Sequence, residues 1–399
     1  MHPRTELHVH LDGSIPPATL LRISRRRNLT LPGLAGRVPE SIDDIWTALQ
    51  SMIPVWHRFD LVNEIIGGDE ATLSEIAEEF VDRQAAQHVS YTEVRWDPVR
   101  PAVSHLANAS IGVETAVRAV ERGLRAGSER HGNEVYQILC AMRGSPGSAC
   151  FELADLAATT RSGALGGVVG MDLAGDEYHF NNSQNHVEQC FRYAKTKLLL
   201  NTTVHAGEAY TDVHKTFADV RSAVEKMLAD RIGHGYAAVQ DGATLDLLAR
   251  RRVHLEACPA GGHAHRDEIN LPATGVYQQR GLSFGMSTDD PAVYFANVSL
   301  SEVEALVRSR LNFTDADISR AYSNARAASF AADAARIVSM QNGSAALGGG
   351  GTHRGADAGV ALLTTVGVIA SVGFFVLLAR AVIGKRQRPR EMMMSRMAV

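Results

Sequence analysis

The chain has 399 residues, of which 45% are hydrophobic and 21% are charged, a composition typical of a globular protein. Its net charge of −4 is uneven: six basic side chains and one acidic side chain lie from Arg380 onward, which leaves 34 basic and 43 acidic side chains elsewhere. An acidic body argues against a nucleic-acid-binding surface and favours a small neutral or cationic substrate.

Short β-rich runs alternate with longer helical patterns from Met1 to about Met340. Eight runs are predicted to be strands: Thr5–Leu11, Val89–Trp96, Val135–Met142, Val168–Ala174, Leu199–His205, Arg231–His234, Val253–Ala257 and Leu282–Ser287. Helical patterns such as Leu73–His88 and Thr244–Arg251 lie between most of them. Eight strands with intervening helices predict a parallel sheet that closes into a (β/α)8 TIM barrel, which forms a catalytic domain over residues 1–340.

The composition changes at the end of this region. Residues 341–357 are rich in Gly, Ala and Ser, which predicts a flexible linker. The next segment, Ala358–Ala379, has 22 residues and no charge, so it predicts one C-terminal transmembrane helix. A buried core helix is the alternative, but the glycine-rich linker and the basic tail at 380–399 flank the segment as they would a membrane span.

The sequence contains features that favour a cytosolic barrel and others that favour a barrel on the opposite side of the membrane. No apolar run typical of a signal peptide precedes Arg4, which is expected of a tail-anchored protein with a cytosolic barrel. Two other features favour an extracellular or lumenal barrel: the basic tail, by the positive-inside rule, and an excess of N-glycosylation sequons. The sequons begin at Asn28, Asn108, Asn181, Asn201, Asn297, Asn312 and Asn342, and the one at Asn201 is expected to be buried in a strand.

Four clusters place imidazole and carboxyl groups at predicted strand ends. They are Glu6–Gly13 with His8, His10 and Asp12, Val204–Glu208 with His205 and Glu208, Arg231–Tyr236 with His234 between two glycines, and Met286–Pro291 with Asp289 and Asp290. Alternate residues of a strand face the same side, so His8 and His10 can share a ligand. Each cluster alone also has an ordinary explanation as strand-end packing or a solvated turn, and a second H-x-H pair, His263 and His265, lies in a glycine-rich loop.

The C-terminal ends of barrel strands meet at one face, where these clusters together supply three histidines and one carboxylate for a metal. Nitrogen and oxygen donors suit zinc and leave iron, cobalt and manganese open. The four cysteines have no C-x-x-C spacing, which argues against a cysteine zinc cluster and leaves one disulfide open. Zinc makes hydroxide available near neutral pH, and the remaining histidine and glutamate can move protons. The pattern predicts a metal-assisted hydrolase.

Seven motifs in order resemble the adenosine deaminases of the amidohydrolase superfamily and span about residues 5–335. They are ELHVHLDGS (Glu6–Ser14), YTEVRWDP (Tyr91–Pro98), ILCAMR (Ile138–Arg143), VVGMDLAGDE (Val168–Glu177), HAGE (His205–Glu208), RIGHGY (Arg231–Tyr236) and STDDP (Ser287–Pro291). The HAGE motif resembles that of the adenosine and adenine deaminases, whereas relatives that act on N6-modified nucleotides have a motif resembling HLSE at this position. Asp12 and the EVR segment resemble the nucleoside branch and favour adenosine over adenine.

The resemblance implies a role for each matching residue. His8, His10, His205 and Asp289 would bind one Zn²⁺ per chain. Glu208 would protonate purine N1, and His234 would orient the attacking water and assist its deprotonation. Asp290 would hydrogen-bond N7, the backbone amide of Gly175 would contact N3, and Asp12 would contact the ribose. Adenosine and 2′-deoxyadenosine would yield inosine, deoxyinosine and ammonia.

Two departures from the family pattern leave the fine substrate preference open, with adenine as the alternative. Cys258-Pro259 leads into Ala260-Gly261-Gly262 where the family usually has a serine. The segment Trp56–Phe59 resembles the corresponding family segment only in its general residue character. An inactive protein that binds adenosine or a surface partner is a further alternative, against which the complete set of polar site residues argues. A different amidohydrolase reaction at the same metal site is the last alternative. The Asp172–Glu177 segment argues against it, because this segment favours a purine substrate.

Overall fold

Eight parallel strands form the centre of the computed structural model, which describes residues 3–54, 56–208, 213–261, 266–293 and 298–348. The strands in chain order are β1 (Arg4–His10), β2 (Val89–Trp96), β3 (Val103–Ser104), β4 (Ala109–Ser110), β5 (Glu134–Met142), β6 (Val168–Ala174), β7 (Asn201–Ala206), β8 (Arg231–His234), β9 (His254–Ala257) and β10 (Phe284–Met286). The short strands β3 and β4 form a separate antiparallel pair. The other eight are neighbours in the order β1-β2-β5-β6-β7-β8-β9-β10.

The sheet closes into a barrel through the residues that follow β10. The amide of His10 donates to the carbonyl of Asp289 at 2.9 Å, and the amide of Asp289 donates to the carbonyl of His8 at 3.1 Å. Strand β6 is buried along its whole length, as expected for a parallel strand covered on both faces. Barrel closure brings the C-terminal ends of the first and last strands together.

Helices surround the barrel and precede or follow its strands. They are α1 (Pro17–Arg26), α2 (Ile42–Gln50), α3 (His57–Ile66), α4 (Glu70–Ala86), α5 (Val113–His131), α6 (Gly147–Thr159), α7 (Val187–Thr196), α8 (Val213–Glu225), α9 (Gly242–Arg251), α10 (Leu271–Gln279), α11 (Leu300–Leu311), α12 (Asp315–Ala327) and α13 (Ala331–Gly348). Several begin at side-chain caps; Asp69, for example, accepts from the amide of Thr72 at the start of α4. On α5, Val117, Val120 and Leu124 share one helix face and are fully buried.

The predicted TIM barrel is confirmed, and all eight predicted strands are present. Val89–Trp96, Val168–Ala174 and Arg231–His234 have the predicted bounds, whereas β10 occupies only the middle of the predicted run Leu282–Ser287. The β3–β4 pair was not predicted, because two-residue strands have no periodicity to detect.

The C-terminal region differs from the prediction at its first element. Helix α13 extends to Gly348, so residues 341–348, assigned to the flexible linker from their Gly, Ala and Ser content, are helical. Adding residues to an existing helix costs less than starting one, and Ala345, Ala346 and Leu347 are strong helix formers. No helix within the described ranges is long and apolar enough to cross a bilayer. The predicted transmembrane segment Ala358–Ala379 and the basic tail lie outside those ranges.

One disulfide joins two neighbouring outer helices. Cys150 on α6 bonds to Cys190 on α7, 40 residues later in the chain. Cys140 and Cys258 are buried free thiols. The disulfide that the cysteine count left open is therefore present in the structure, and it lies on the outside of the barrel.

Candidate active site

Imidazole nitrogens and carboxylate oxygens converge where β1, β7 and β10 end. Nε2 of His10 lies 3.2 Å from Nε2 of His205, and Oδ1 of Asp289 lies 3.3 Å from Nε2 of His8 and 3.6 Å from Nε2 of His10. Four donors around a zinc ion at bond lengths of about 2.0–2.2 Å are about 3.3–3.6 Å apart in a tetrahedron. The separations of the four predicted ligands thus suit a single small cation.

The surroundings of these atoms also suit a metal. Nε2 of His8 is fully buried and has no hydrogen-bond partner among the described residues. His8, His205, His234 and Asp289 form one buried group able to hold a cation, and His10 forms an overlapping group with Asp289 and Asp290. Nε2 of His234 lies 3.5 Å from Oε2 of Glu208, so this fourth imidazole also faces a carboxylate.

Two buried carboxylates orient the histidines from behind. Oε2 of Glu256 lies 2.9 Å from Nδ1 of His8, and Oδ2 of Asp172 lies 2.9 Å from Nδ1 of His205. A carboxylate at Nδ1 keeps the proton on that nitrogen and leaves the Nε2 lone pair for a metal. Neither carboxylate was predicted as a site residue, although an acid within an apolar strand was a visible signal for Asp172.

The carboxylates belong to a charged network that fills the barrel interior. Arg95 contacts Asp172 at 3.0 Å and Glu256 at 2.6 Å, and Arg231 contacts Glu256 at 2.7 Å and Glu93 at 2.6 Å. Burial opposes ionisation of Glu256, but the charges of the two guanidinium groups outweigh it and hold its pKa well below the usual range. Glu256, the partner of His8, is therefore negatively charged at neutral pH.

Glycines at two positions make room for site side chains. A Cβ on Gly233 would lie 2.8 Å from Cε1 of His8, and a Cβ on Gly13 would lie 1.8 Å from Oδ1 of Asp290. Neither distance is compatible with a side chain unless the neighbour moves. The glycine before His234 in RIGHGY thus serves the packing of a histidine from another strand.

His234 and Glu208 face each other at the rim of the predicted metal site. His234 has a φ of 63°, a left-handed conformation that non-glycine residues adopt rarely, and Asp289 has a φ of 66°. Burial lowers the pKa of His234 to about 4, although the charge of Glu208 acts in the opposite direction. His234 is therefore a neutral imidazole at pH 7, able to accept a proton.

The turn that carries Glu208 is held by another buried acid. The carboxylate of Glu177 accepts from the amides of Gly207 at 2.6 Å and Glu208 at 2.9 Å. Glu177 is the last residue of the VVGMDLAGDE motif, and the family resemblance implies no role for it. Its contacts identify it as the residue that fixes the backbone of the HAGE turn.

The residues predicted to bind the substrate surround the same opening. Oδ1 of Asp290 is buried without a hydrogen-bond partner among the described residues, and burial followed by the charge of Asp289 raises the pKa of Asp290 well above its usual range. Asp12 accepts from Nδ2 of Asn63 on α3 at 3.0 Å. Gly175, with a φ of 98°, adopts a conformation that favours glycine.

Comparison with known proteins agrees with this arrangement. The adenosine deaminase family model matches residues 3–340. Adenosine deaminase of Xenopus tropicalis is 31% identical over 340 residues, which covers 82% of this chain and 91% of the relative. The chain belongs to the adenosine deaminase family. It is a hydrolytic deaminase, and the enzymes of its family act on small nucleoside or nucleotide substrates.

Solved structures show the same fold. A cog1816 amidohydrolase from Burkholderia ambifaria with bound Zn is 21% identical, with a TM-score of 0.69 over 87% of this chain and 93% of that one. The N6-methyl-AMP deaminase from Arabidopsis thaliana is 25% identical, with a TM-score of 0.66 over 87% of this chain and 98% of that one. The adenosine deaminase-family barrel is therefore shared with enzymes whose names indicate different substrates.

Both departures from the family pattern lie close to the site. A Cβ on Gly261, in the segment that replaces the usual serine, would lie 3.3 Å from Oδ2 of Asp289. The segment Trp56–Phe59 forms the start of α3, where the carbonyl of Phe59 accepts from Nδ2 of Asn63, which also contacts Asp12. Gly262 and the second histidine pair, His263 and His265, lie outside the described residues.

Proposed function

We propose that this enzyme hydrolyses adenosine and 2′-deoxyadenosine to inosine and deoxyinosine with release of ammonia, using one zinc ion. The observation that carries the proposal is the convergence of His8, His10, His205 and Asp289 at separations that suit zinc. Glu208 and His234 lie beside them with a contact of their own. The bound Zn in the Burkholderia relative agrees with this choice of metal.

Zinc held by these residues would supply a hydroxide equivalent at neutral pH. The chain's own groups account for the proton movements. A water oxygen bonds to purine C6 while N1 gains a proton. One proton of the water then passes to N6, so that the C6–N6 bond breaks as ammonia leaves, and the other replaces the proton given to N1. His234, neutral at pH 7, accepts the proton of the attacking water, and Glu208 delivers a proton to N1.

Asp290 and Gly175 would hold the purine by its other nitrogens. A carboxyl whose pKa is raised keeps its proton, so Asp290 can donate a hydrogen bond to the unprotonated N7. The amide of Gly175 would donate to N3. Donors placed for both N7 and N3, which lie on different edges of the base, favour a purine over other amidohydrolase substrates.

Absorbance at 265 nm tests the proposal directly, with full-length protein in mild detergent incubated with adenosine before and after zinc chelation. A chelator-sensitive fall in the wild type, reduced by about 10²–10⁴-fold in Glu208→Gln with the zinc content unchanged, is the expected result. Turnover of adenine in place of adenosine would keep the chemistry and change the substrate. Zinc-loaded protein that turns over no purine would contradict the proposal and favour the binding-protein alternative.

We further propose that the barrel lies outside the cytosol and is tethered by Ala358–Ala379. The sequons at Asn28, Asn108 and Asn312 support this placement because their asparagines are exposed, whereas Asn201 is buried in β7. The Cys150–Cys190 disulfide supports it as well, since disulfides persist mainly in oxidising compartments.

Expression in a glycosylating eukaryotic cell tests the placement. Full-length protein should lose mass on treatment with a peptide N-glycosidase, and a triple variant with Gln at 28, 108 and 312 should lose less. Carbonate extraction of the membranes should leave both proteins in the pellet. A membrane-bound protein with no N-glycan would support the tail-anchored alternative with a cytosolic barrel.

A further inference from the structure

The Cys150–Cys190 disulfide joins the first turns of two neighbouring helices. Cys150 is the fourth residue of α6 and Cys190 is the fourth residue of α7, and both side chains are buried. Helices of a (β/α)8 barrel begin at the end where its strands finish, which is the end that carries the site. The disulfide therefore ties together the two segments that leave β5 and β6, residues 143–146 and 175–186.

Hydrogen bonds and close packing also hold these two segments together. Nη1 of Arg143 donates to Oδ1 of Asn182 at 2.7 Å, and Nδ2 of Asn185 donates to the carbonyl of Ser145 at 3.1 Å. A Cβ on Gly147, the first residue of α6, would lie 2.7 Å from the carbonyl oxygen of Asn185. The segments thus meet next to the starts of both helices.

The backbone just before α7 has an unfavourable conformation. Asn185 has a φ of 51° and His186 a φ of 61°, so two consecutive non-glycine residues are left-handed. Such a conformation persists only where the surrounding structure imposes it. Because Cys190 lies in the helical turn that follows, its bond to α6 limits how far the beginning of α7 can move to relax this pair.

The same two segments support the turn that carries Glu208. The carboxylate of Glu177, within residues 175–186, accepts from the amides of Gly207 and Glu208. From residues 143–146, Nη2 of Arg143 donates to the carbonyl of His205 at 2.5 Å. A movement of one segment against the other would therefore reach the HAGE turn.

We propose that Cys150 and Cys190 are positioning residues for catalysis, because their disulfide holds residues 175–186 where Glu177 can keep Glu208 in place. This inference rests on the proposed role of Glu208 as the proton donor to purine N1. A disulfide with a purely structural role would act by closing a chain segment of 40 residues. Its loss would then lower the melting temperature and leave the folded site unchanged.

The test replaces both cysteines, as Cys150→Ala with Cys190→Ala, in full-length, zinc-loaded protein and measures kcat and KM for adenosine well below the melting temperature. The kcat of this disulfide-free variant should fall about ten-fold, with a smaller change in KM and an unchanged zinc content. An unchanged kcat would overturn the proposal. Cys150→Ser with Cys190→Ser provides a second variant if the first fails to fold.

Leu124→Ala is the matched control for lost stability. Leu124 is fully buried in the C-terminal half of α5, towards the end of the barrel opposite the site. The cavity left by this substitution should lower the melting temperature. Because the substitution is remote from residues 175–186, kcat should stay within about two-fold of the wild type. An equal fall of kcat in the control would overturn the proposal.

Combination with Glu177→Gln shows whether the disulfide acts through that residue. If it does, removing the disulfide from Glu177→Gln should lower kcat by less than about two-fold more, because the two changes disturb the same turn. A further fall of about ten-fold would mean that the two effects are independent and would contradict the proposal.

Hydrogen exchange gives a readout that needs no turnover. The amides of Gly207 and Glu208 should exchange faster in the disulfide-free variant than in the wild type, and at the wild-type rate in Leu124→Ala. Unchanged exchange at these amides would overturn the proposal. A wild type that deaminates no adenosine would contradict the proposed function, and the exchange rates would still decide whether the disulfide holds the HAGE turn.

Discussion

The carboxylate of Glu256 lies 2.9 Å from Nδ1 of His8, although the two residues are 248 positions apart in the chain. Both side chains are fully buried. Glu256 also contacts Arg95 and Arg231, so the hydrogen bond to the histidine comes from a carboxylate whose charge is stabilised on two sides. This arrangement links the buried charge network of the barrel to the geometry of the predicted metal site.

Glu256→Gln should weaken zinc binding by about 10–100-fold, because loss of a carboxylate behind a metal-ligating histidine has that typical effect. Arg95 keeps its contact with Asp172, and Arg231 keeps its contact with Glu93, so neither guanidinium is left without an acid. The measurement is zinc retained after dialysis against graded chelator concentrations, with the metal determined by mass spectrometry.

Glu304→Gln is a suitable control for that variant, since Glu304 forms an ion pair with Arg4 away from the metal ligands. It should retain zinc as the wild type does. Equal retention in Glu256→Gln and in the control would contradict an orienting role for Glu256.

Glu177→Gln should reduce kcat by about ten- to a hundred-fold with little change in zinc content. The side-chain amide of the glutamine offers only one acceptor oxygen to the backbone amides of Gly207 and Glu208, where the carboxylate offers two. The HAGE turn should therefore move, and Glu208 should shift away from the base. Steady-state kinetics with adenosine and zinc analysis of the same sample separate this effect from metal loss. A loss of activity that follows zinc content alone would instead assign Glu177 a purely structural role.

The sequence was sufficient for the barrel and for the position of each predicted ligand, because those signals are local. Strand β6 is an apolar run interrupted only by Asp172, and His8 and His10 share a strand face through simple alternation. Contacts between side chains on distant strands could not be predicted from the sequence. A single sequence shows an acid at position 256, but only the closed barrel shows which histidine it contacts.

The limits on helix prediction are of a different kind. Residues 341–348 have the Gly and Ser content of a linker, yet they continue a helix that is already formed at Ala331. Asp97 lies within the YTEVRWDP motif, but its raised pKa comes from burial in the folded chain and from the neighbouring charge of Asp12. Composition and motif order do not contain either kind of information.

Gly233→Ala should destabilise the enzyme by about 1–3 kcal/mol and weaken zinc binding, because the new methyl group would displace the ring of His8. Gly242→Ala is a matched control in α9, where a Cβ would meet nothing within 4 Å, and it should be neutral or stabilising by up to about 1 kcal/mol. Thermal unfolding with and without added zinc measures both effects. Similar melting temperatures for the two variants would exclude a steric requirement for glycine at position 233.

Asp97→Asn should stabilise the protein at neutral pH by about 3 kcal/mol, since burial raises the pKa of Asp97 from 3.8 to about 6. The folded chain holds this proton more tightly than the unfolded chain does, so stability is lost as the pH rises from about 4 to about 6 and stays lower above it. The asparagine cannot ionise, and the difference in melting temperature between variant and wild type should therefore grow over this interval and then become constant.

The measurement is thermal unfolding of both proteins from pH 4.5 to pH 8 at a fixed zinc concentration, so that the metal contribution is similar in each pair. Asp60→Asn, which changes a half-exposed carboxylate that pairs with Arg100 as Asp97 does, should show no such growth. A difference that is constant with pH would mean that Asp97 ionises as freely in the folded protein as in the unfolded chain. A stabilisation that grows with pH would instead show that the folded enzyme keeps a buried charge at Asp97 at a cost in stability.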